Sequence, residues 1–125
     1  SFLGGKLSIS QPRKGFRAGL DSVLLAAAIN AQSGDKVFEI GSGVGTVLFC
    51  LMSRVSGLKS FAIEIMDEYH SLSLLNAKRN KFKAELILVA DIAKESVSTE
   101  KVLLAPNFNA VKDSIPLPHP KSAIV

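Results

Sequence analysis

The feature that most constrains the fold of this chain is an apolar run, residues 37–40, that leads directly into a glycine-rich turn. The run has the apolar character of a buried strand. Gly41, Gly43 and Gly45 permit a sharp change of direction and a close approach of the backbone to a ligand. Residues 47–54 are rich in apolar side chains and predict a helix. A strand, a glycine turn and a helix N-terminus in this order predict a corner that binds a nucleotide-like ligand.

The spacing within the turn narrows the choice of ligand. A dinucleotide-binding turn reads G-x-G-x-x-G, whereas this turn reads G-x-G-x-G and has Thr46 in the place of that third glycine. Glu39 also departs from the dinucleotide pattern, because a carboxylate there would repel a pyrophosphate. A carboxylate suits a cationic ligand or one with several hydrogen-bond donors. A glycine-rich turn that binds no ligand remains the alternative.

The composition is that of a small ordered protein, with 125 residues, 47% hydrophobic and 21% charged. This length suits one domain with a modest core. No apolar run reaches the roughly 18 residues that a membrane span needs, and the start of the chain lacks a signal-peptide pattern. The single cysteine, Cys50, cannot form an internal disulfide and is interpreted as a small core residue. We therefore expect a cytoplasmic protein without a membrane partner.

Basic residues concentrate in two clusters, and the net charge of +4 is compatible with an anionic partner such as RNA. The first cluster is Arg13, Lys14 and Arg17. The second cluster is Lys78, Arg79, Lys81 and Lys83. The second lies at the end of a predicted helix, where cations complement the helix dipole, so a solvated surface is the simpler interpretation. For the first cluster both interpretations stay open.

Strand and helix patterns alternate along a single predicted domain, residues 1–125. An arm over 1–20, in which residues 6–11 form a short strand or hairpin arm, precedes a helix over 22–31 capped by Asp21. Strands are predicted over 36–40, 59–65, 86–90 and 101–105. Further helices are predicted over 47–54 and over 67–80, and Asp67 is the predicted cap of the second of these. A proline-containing tail covers 106–125. Such alternation predicts an α/β fold, a Rossmann-like three-layer αβα sandwich with a mainly parallel sheet.

Three acidic residues fall at the predicted carboxyl ends of strands, the edge where such sheets bind ligands. Glu39 closes the first strand, Glu64 lies near the end of the second, and Asp91 follows the third. A carboxylate in the position of Glu64 can accept both ribose hydroxyl protons, and one in the position of Asp91 can accept from an adenine amino group. Each acid alone could cap a helix or face solvent. Together with the glycine turn they indicate a nucleoside site.

The E-x-G-x-G-x-G pattern of residues 39–45 is similar to the first motif of the class I S-adenosylmethionine-dependent methyltransferases. Residues 11–25, QPRKGFRAGLDSVLL, with their Gly-x-Asp ahead of a leucine-rich helix, resemble most the bacterial tRNA1(Val) N(6)-adenine methyltransferase family. The opening FLGGKL adds to this resemblance, which covers almost the whole chain. It implies S-adenosylmethionine as cofactor, an adenine amine of tRNA as acceptor, and direct methyl transfer without a metal.

The same resemblance assigns the cofactor-binding residues. They are Arg17 and Asp21 near the methionine end, Glu39, Gly41, Ser42, Gly43 and Gly45 along the cofactor, Glu64 at the ribose and Asp91 at the adenine.

The acceptor motif departs from the pattern of that family. Members end the fourth strand with Asn-Pro-Pro and an aromatic residue, which orient the target amine and stack on the flipped base. This chain has Ala105, Pro106, Asn107 and Phe108 there. The candidate catalytic residues are therefore Pro106, Asn107 and Phe108, and Asn107 replaces the missing acceptor only if the loop shifts by two residues.

The resemblance also implies a sheet without its last strands, because family members are about twice as long. A fourth strand left as an exposed edge would favour pairing with another chain, and so a homo-oligomer. Three functions follow for comparison: a methyltransferase that is inactive if the chain is truncated, a non-catalytic cofactor- or RNA-binding scaffold, and a nicotinamide-dependent dehydrogenase. Ala105 favours the second, while the glycine spacing and Glu39 disfavour the third.

Overall fold

The computed structural model describes residues 1–88 and 122–124 of the chain. A single 3₁₀ turn, Leu3–Gly5, opens the structure. The helices are α1 (Leu20–Ala28), α2 (Thr46–Arg54) and α3 (Asp67–Arg79), and the strands are β1 (Lys36–Ile40), β2 (Lys59–Glu64), β3 (Glu85–Leu88) and β4 (Ser122–Ile124). Within these residues every helix is too short or too polar to cross a lipid bilayer.

The strands form one parallel sheet in the order β3-β2-β1-β4. Because the chain steps in the same direction from β1 to β2 and from β2 to β3, right-handed crossovers place α2 and α3 on one face of the sheet. The predicted α/β class with a Rossmann-like parallel sheet is confirmed. The second helical layer of the predicted three-layer sandwich is a prediction for residues outside the described ranges.

The core lies between the sheet and its helices. Along β1 burial alternates, so that Val37 and Glu39 are buried while Ile40 is exposed. Phe49 of α2 is fully buried and stacks on Phe82, with the ring centroids 5.6 Å apart. Cys50 is buried in the same cluster, which confirms its interpretation as a core residue.

Both predicted helix caps were wrong by one or two positions. Gly19 is the N-cap residue of α1, and Asp21 lies in the first turn, where its Oδ1 accepts the Gly19 N–H at 3.3 Å. Met66 precedes α3, so Asp67 is its first helical residue. A carboxylate in the first turn stabilises a helix through the dipole, and the sequence pattern of an acid near a helix start fits both roles.

The N-terminal arm also differs from the prediction. Residues 6–11 form no strand, and one antiparallel bridge joins Phe2 to Leu7. The predicted strand over 36–40 and the helix near 47–54 are confirmed, and β2 ends at Glu64. The strand predicted over 101–105 lies outside the described residues, and the strand that pairs with the free side of β1 is β4.

Gly45 is constrained by packing as well as by backbone conformation. Its φ is +84°, and a Cβ on it would overlap the ring of Phe49. Gly41, with φ +71°, would place a Cβ in open space. Gly41→Ala therefore carries only the left-handed backbone cost of about 1–2 kcal/mol. Gly45→Ala carries that cost and an overpacking cost of about 1–3 kcal/mol.

We therefore expect Gly45→Ala to lower the free energy of unfolding in urea by about 2–5 kcal/mol, and Gly41→Ala by about 1–2 kcal/mol. Equal losses in the two variants would contradict the packing role of Gly45.

Candidate functional site

The glycine turn that follows β1 is tied to the end of β2 by backbone hydrogen bonds. The N–H groups of Gly41 and Ser42 both donate to the Ile63 carbonyl, at 2.9 and 3.1 Å. The Gly45 N–H donates to the Ser42 carbonyl at 2.9 Å, and the Gly43 N–H donates to Glu64 Oε2 at 2.6 Å. Backbone N–H groups of such a turn cradle the phosphates in nucleotide-binding proteins. Here protein acceptors bind these four groups, so the turn is not arranged to hold an anion.

Glu64 ends β2 with its carboxylate oriented by the backbone. The residue is 6% exposed, its Oε2 accepts the Gly43 N–H, and its Oε1 accepts the N–H groups of Ile65 and Met66 at 2.8 and 2.9 Å. An ionised carboxylate has about four acceptor sites. One more donor can therefore bind without rearrangement, whereas accepting two ribose hydroxyls at once would require exchange of one backbone bond.

Glu39 is a buried carboxylate on the helix-facing side of β1. It is 5% exposed, and its Oε2 has no hydrogen-bond partner among the residues that the structure describes. Burial raises the pKa of Glu39 to about 7; a backbone hydrogen bond from Leu48 lowers the pKa, and the charge of Glu64 raises it. The hydroxyl of Thr46 is likewise buried without a partner within the described ranges. Donor groups of a ligand would satisfy these oxygens.

A cavity of about 730 Å³ lies at the carboxyl ends of β1 and β2, within the size range of small-molecule sites. Three acidic residues line it, and in the described part of the chain no lysine or arginine does. Its walls combine the glycine turn, the strand ends, α1 and the start of α3. The lining residues are Phe16, Ala18, Asp21, Ser22, Leu25, Glu39, Ile40, Gly41, Ser42, Gly43, Val44, Thr46, Val47, Glu64, Met66 and Tyr69.

Most of the predicted cofactor residues meet in this cavity. They are Asp21, Glu39, Gly41, Ser42, Gly43 and Glu64. Arg17 is exposed and does not line it, and Gly45 lies behind the turn against Phe49. Asp91, Pro106, Asn107 and Phe108 lie outside the described residues.

Several wall residues were not predicted from the sequence. Phe16 and Ala18 reach the cavity because residues 11–18 fold back on themselves: the Ala18 N–H donates to Gln11 Oε1 at 2.7 Å. A Cβ on Gly15 would lie 2.9 Å from the hydroxyl of Tyr69, so this segment passes directly over α3. Met66 was predictable, since it follows β2 at the ligand edge of the sheet. The position of Tyr69 depends on the packing of α3, for which the sequence carries no separate signal.

Two solved structures that share this fold are methyltransferases. Over 64% of its length the chain is similar to a precorrin-6y C5,15-methyltransferase from Geobacter metallireducens, with a TM-score of 0.57 and 16% identity. Over 67% it is similar to a methyltransferase from Pyrococcus furiosus, with a TM-score of 0.56 and 20% identity. Each match covers only 43% of the solved chain. Comparison with protein-family models and with curated proteins gave no match. At these identities the similarity establishes the Rossmann-like α/β fold alone.

Titration of Glu39 should make stability depend on pH. Because folding raises the pKa of this carboxyl from 4.5 to about 7, the folded state holds a proton that the unfolded state has already released. Stability from this group is therefore greatest at low pH and falls as pH rises from 4.5 through 7, by roughly 3 kcal/mol in total. Glu39→Gln keeps the side-chain shape and removes the titration. Chemical unfolding between about pH 5 and 8 should show the fall in the wild type and not in this variant.

The matched control is Glu85→Gln, on an exposed residue at the start of β3. It should retain the wild-type fall. A Glu39→Gln profile parallel to that of the wild type would show that Glu39 is ionised throughout this range.

Proposed function

We propose that this chain binds S-adenosylmethionine and forms the cofactor-binding part of a methyltransferase that acts on the exocyclic amine of an adenine in tRNA. The observation that carries the cofactor proposal is the negative cavity beside the glycine turn. Asp21, Glu39 and Glu64 line it, and no basic residue of the described ranges does. S-adenosylmethionine carries a sulfonium and an ammonium but no phosphate, which matches a cavity of this charge. When bound, it supplies an activated methyl group.

The chain's own residues bind and orient that ligand in the proposal. Glu64 accepts a ribose hydroxyl, for which its backbone-held carboxylate has one free acceptor site. Glu39 and Thr46 take up donors of the amino-acid end, because Glu39 Oε2 and the Thr46 hydroxyl are buried without partners among the described residues. Ionised Glu39 is favoured by a nearby cation, so the ligand relieves the electrostatic cost that raises the pKa of this carboxyl. The fold shared with two solved methyltransferases supports the assignment.

A dinucleotide fits this site less well. Its pyrophosphate needs free backbone N–H groups and a neutral or positive surrounding. The N–H groups of Gly41, Ser42, Gly43 and Gly45 bind protein acceptors, and the cavity is acidic. The geometry therefore adds to the spacing argument against a nicotinamide-dependent dehydrogenase.

The first basic cluster supports RNA as the acceptor. Arg13, Lys14 and Arg17 are exposed, and Phe16 between them lines the cavity although it is 70% exposed. Cations that flank an exposed aromatic ring are typical of surfaces that bind single-stranded nucleic acid. The second basic cluster lies in the last turn of α3 and just after it, towards the opposite edge of the sheet, where β3 begins. Only the first cluster therefore lies beside the proposed methyl donor.

Pro106, Asn107 and Phe108 remain the proposed acceptor residues. Ala105 favours a second candidate function, a non-catalytic module that binds the cofactor or RNA, because alanine cannot accept a hydrogen bond from the target amine.

Calorimetric titration tests the cofactor. We expect heat with S-adenosylmethionine and S-adenosylhomocysteine and none with NAD. Glu64→Gln should weaken binding by about tenfold or more, because a charged acceptor is lost. Glu85→Gln should leave affinity unchanged, since Glu85 lies at the opposite edge of the sheet. Absence of heat with both sulfur compounds would overturn the proposal.

Binding of unmodified tRNA at several salt concentrations tests the acceptor surface. Replacing Arg13, Lys14 and Arg17 together by glutamine should reduce the slope of the logarithm of the binding constant against the logarithm of the salt concentration by about two to three units. The same change at Lys78, Lys81 and Lys83 is the matched control and should reduce it less. Methyl transfer to the bound tRNA supports the enzyme, and binding without transfer supports the non-catalytic module. An equal effect of the two triple variants would contradict the assignment of the first cluster.

A further inference from the structure

The buried side-chain amide of Asn76 joins three parts of the molecule. Asn76 lies on α3 and is fully buried. Its Nδ2 donates to the carbonyl of Val44 in the glycine turn and to the carbonyl of Ser10, each at 3.0 Å. Its Oδ1 accepts the Ser10 N–H at 2.7 Å. One side chain therefore fixes both the glycine turn and the N-terminal arm.

Asn80, the C-cap residue of α3 and four positions after Asn76, repeats the arm contact. Its Oδ1 accepts the Ser8 N–H at 2.9 Å, and its Nδ2 donates to the Ser8 carbonyl at 2.8 Å. Four helical residues rise about 6 Å, and two extended residues span about 6.6 Å. The two amides, which we call the amide clamp, thus match alternate residues of the arm. The arm needs no partner strand at Ser8 and Ser10 because α3 supplies the donors and acceptors.

The arm held by the clamp leads directly into a wall of the cavity. Beyond Ser10, residues 11–18 form the loop that we call the basic segment, closed by the bond from the Ala18 N–H to Gln11. Phe16 and Ala18 of this segment line the cavity, and a Cβ on Gly15 would lie 2.9 Å from the hydroxyl of Tyr69 on α3. The basic segment therefore begins directly after Ser10, the residue that Asn76 holds, and its last residue, Ala18, lines the cavity.

The two contacts of Asn76 depend on each other because one planar amide makes both. Its Nδ2 has two hydrogens, and both are used by carbonyl groups. If the glycine turn shifts, the Val44 carbonyl moves the Asn76 amide, and the same amide pairs with Ser10. If Ser10 shifts, it moves the Asn76 amide, which is the partner of Val44. Asn80 contacts the arm and its own helix, and its hydrogen bonds do not reach the turn.

We propose that Asn76 is a positioning residue that couples the glycine turn to the basic segment, so that ligand binding in the cavity and ordering of the segment stabilise each other. The ligand part rests on the proposed function, whereas the coupling rests on the hydrogen bonds of Asn76. By reciprocity, RNA held on the basic segment would strengthen cofactor binding by the same factor that the cofactor strengthens RNA binding.

Hydrogen–deuterium exchange without ligand tests the coupling itself. In Asn76→Ala, exchange in residues 41–46 should rise by about tenfold, because the Val44 carbonyl loses its partner. In Asn80→Ala, exchange should rise in the arm but stay within about twofold of wild type in the turn. Exchange in β2 serves as the internal reference. A turn unchanged in Asn76→Ala, a turn affected equally by both variants, or an equal rise in β2 would overturn the proposal.

Limited trypsin digestion with S-adenosylhomocysteine tests the ligand part. Trypsin cuts after Arg13, Lys14 and Arg17, which are exposed in the basic segment. Saturating ligand should slow these cuts by about fivefold in wild type and in Asn80→Ala, and by less than about twofold in Asn76→Ala. Equal protection in the two variants would overturn the proposal. If calorimetry shows no ligand binding to wild type, the proposed function fails, and the exchange experiment still decides the coupling.

A second pair of variants acts from the arm, in case Asn76→Ala does not fold. Ser10→Pro removes the N–H that Asn76 accepts, and Ser8→Pro removes the equivalent N–H that Asn80 accepts. Faster exchange in residues 41–46 in Ser10→Pro but not in Ser8→Pro would support the coupling, and equal exchange in the two would overturn it.

Discussion

The hydrogen bonds from the glycine turn to the end of β2 are the interaction on which the site depends. In-register pairing of β1 with β2 sets Ile40 opposite Ile63, so the turn begins beside the last residues of β2. Ile63 then accepts two N–H groups of the turn and Glu64 accepts a third. In nucleotide-binding proteins the N–H groups of such a turn bind an anion. Here the N–H groups of the turn bind protein acceptors, and the side chains of acidic residues line the cavity.

The same arrangement concentrates negative charge where burial makes it unfavourable. Burial and the charge of Glu64 both raise the pKa of Glu39, and only the backbone bond from Leu48 opposes them. A fold that needed only stability would gain from a neutral side chain at this position. Perturbed titratable groups in a cavity are characteristic of functional sites. A cation in the cavity would favour the ionised form of Glu39 and so offset the cost of burying this carboxylate. This is the physical reason to propose a ligand with a sulfonium and an ammonium group.

Periodicity and glycine spacing predicted the parallel α/β fold and placed Glu39 and Glu64 at one edge of the sheet, because the ends of parallel strands are fixed by the strands themselves. The caps at Asp21 and Asp67 were misassigned because an acid near a helix start stabilises it from more than one position. The contribution of residues 8–18 was not predictable: Ser8 and Ser10 bond to the side chains of Asn76 and Asn80, Ala18 bonds to Gln11, and neither strand nor helix periodicity marks such contacts. Arg17 was assigned by resemblance, and its exposed position depends on how that loop folds.

The packing of Gly45 against Phe49 constrains this position whether or not the turn binds a ligand. Of the three glycines in the turn, Gly45 alone would place a Cβ against a ring of the core. A lineage that ceased to use the ligand would still be selected to keep Gly45, because its replacement damages folding, whereas substitutions at Gly41 and Gly43 would meet weaker resistance. In a descendant of this chain, loss of the first two glycines with retention of the third would therefore record the loss of the ligand.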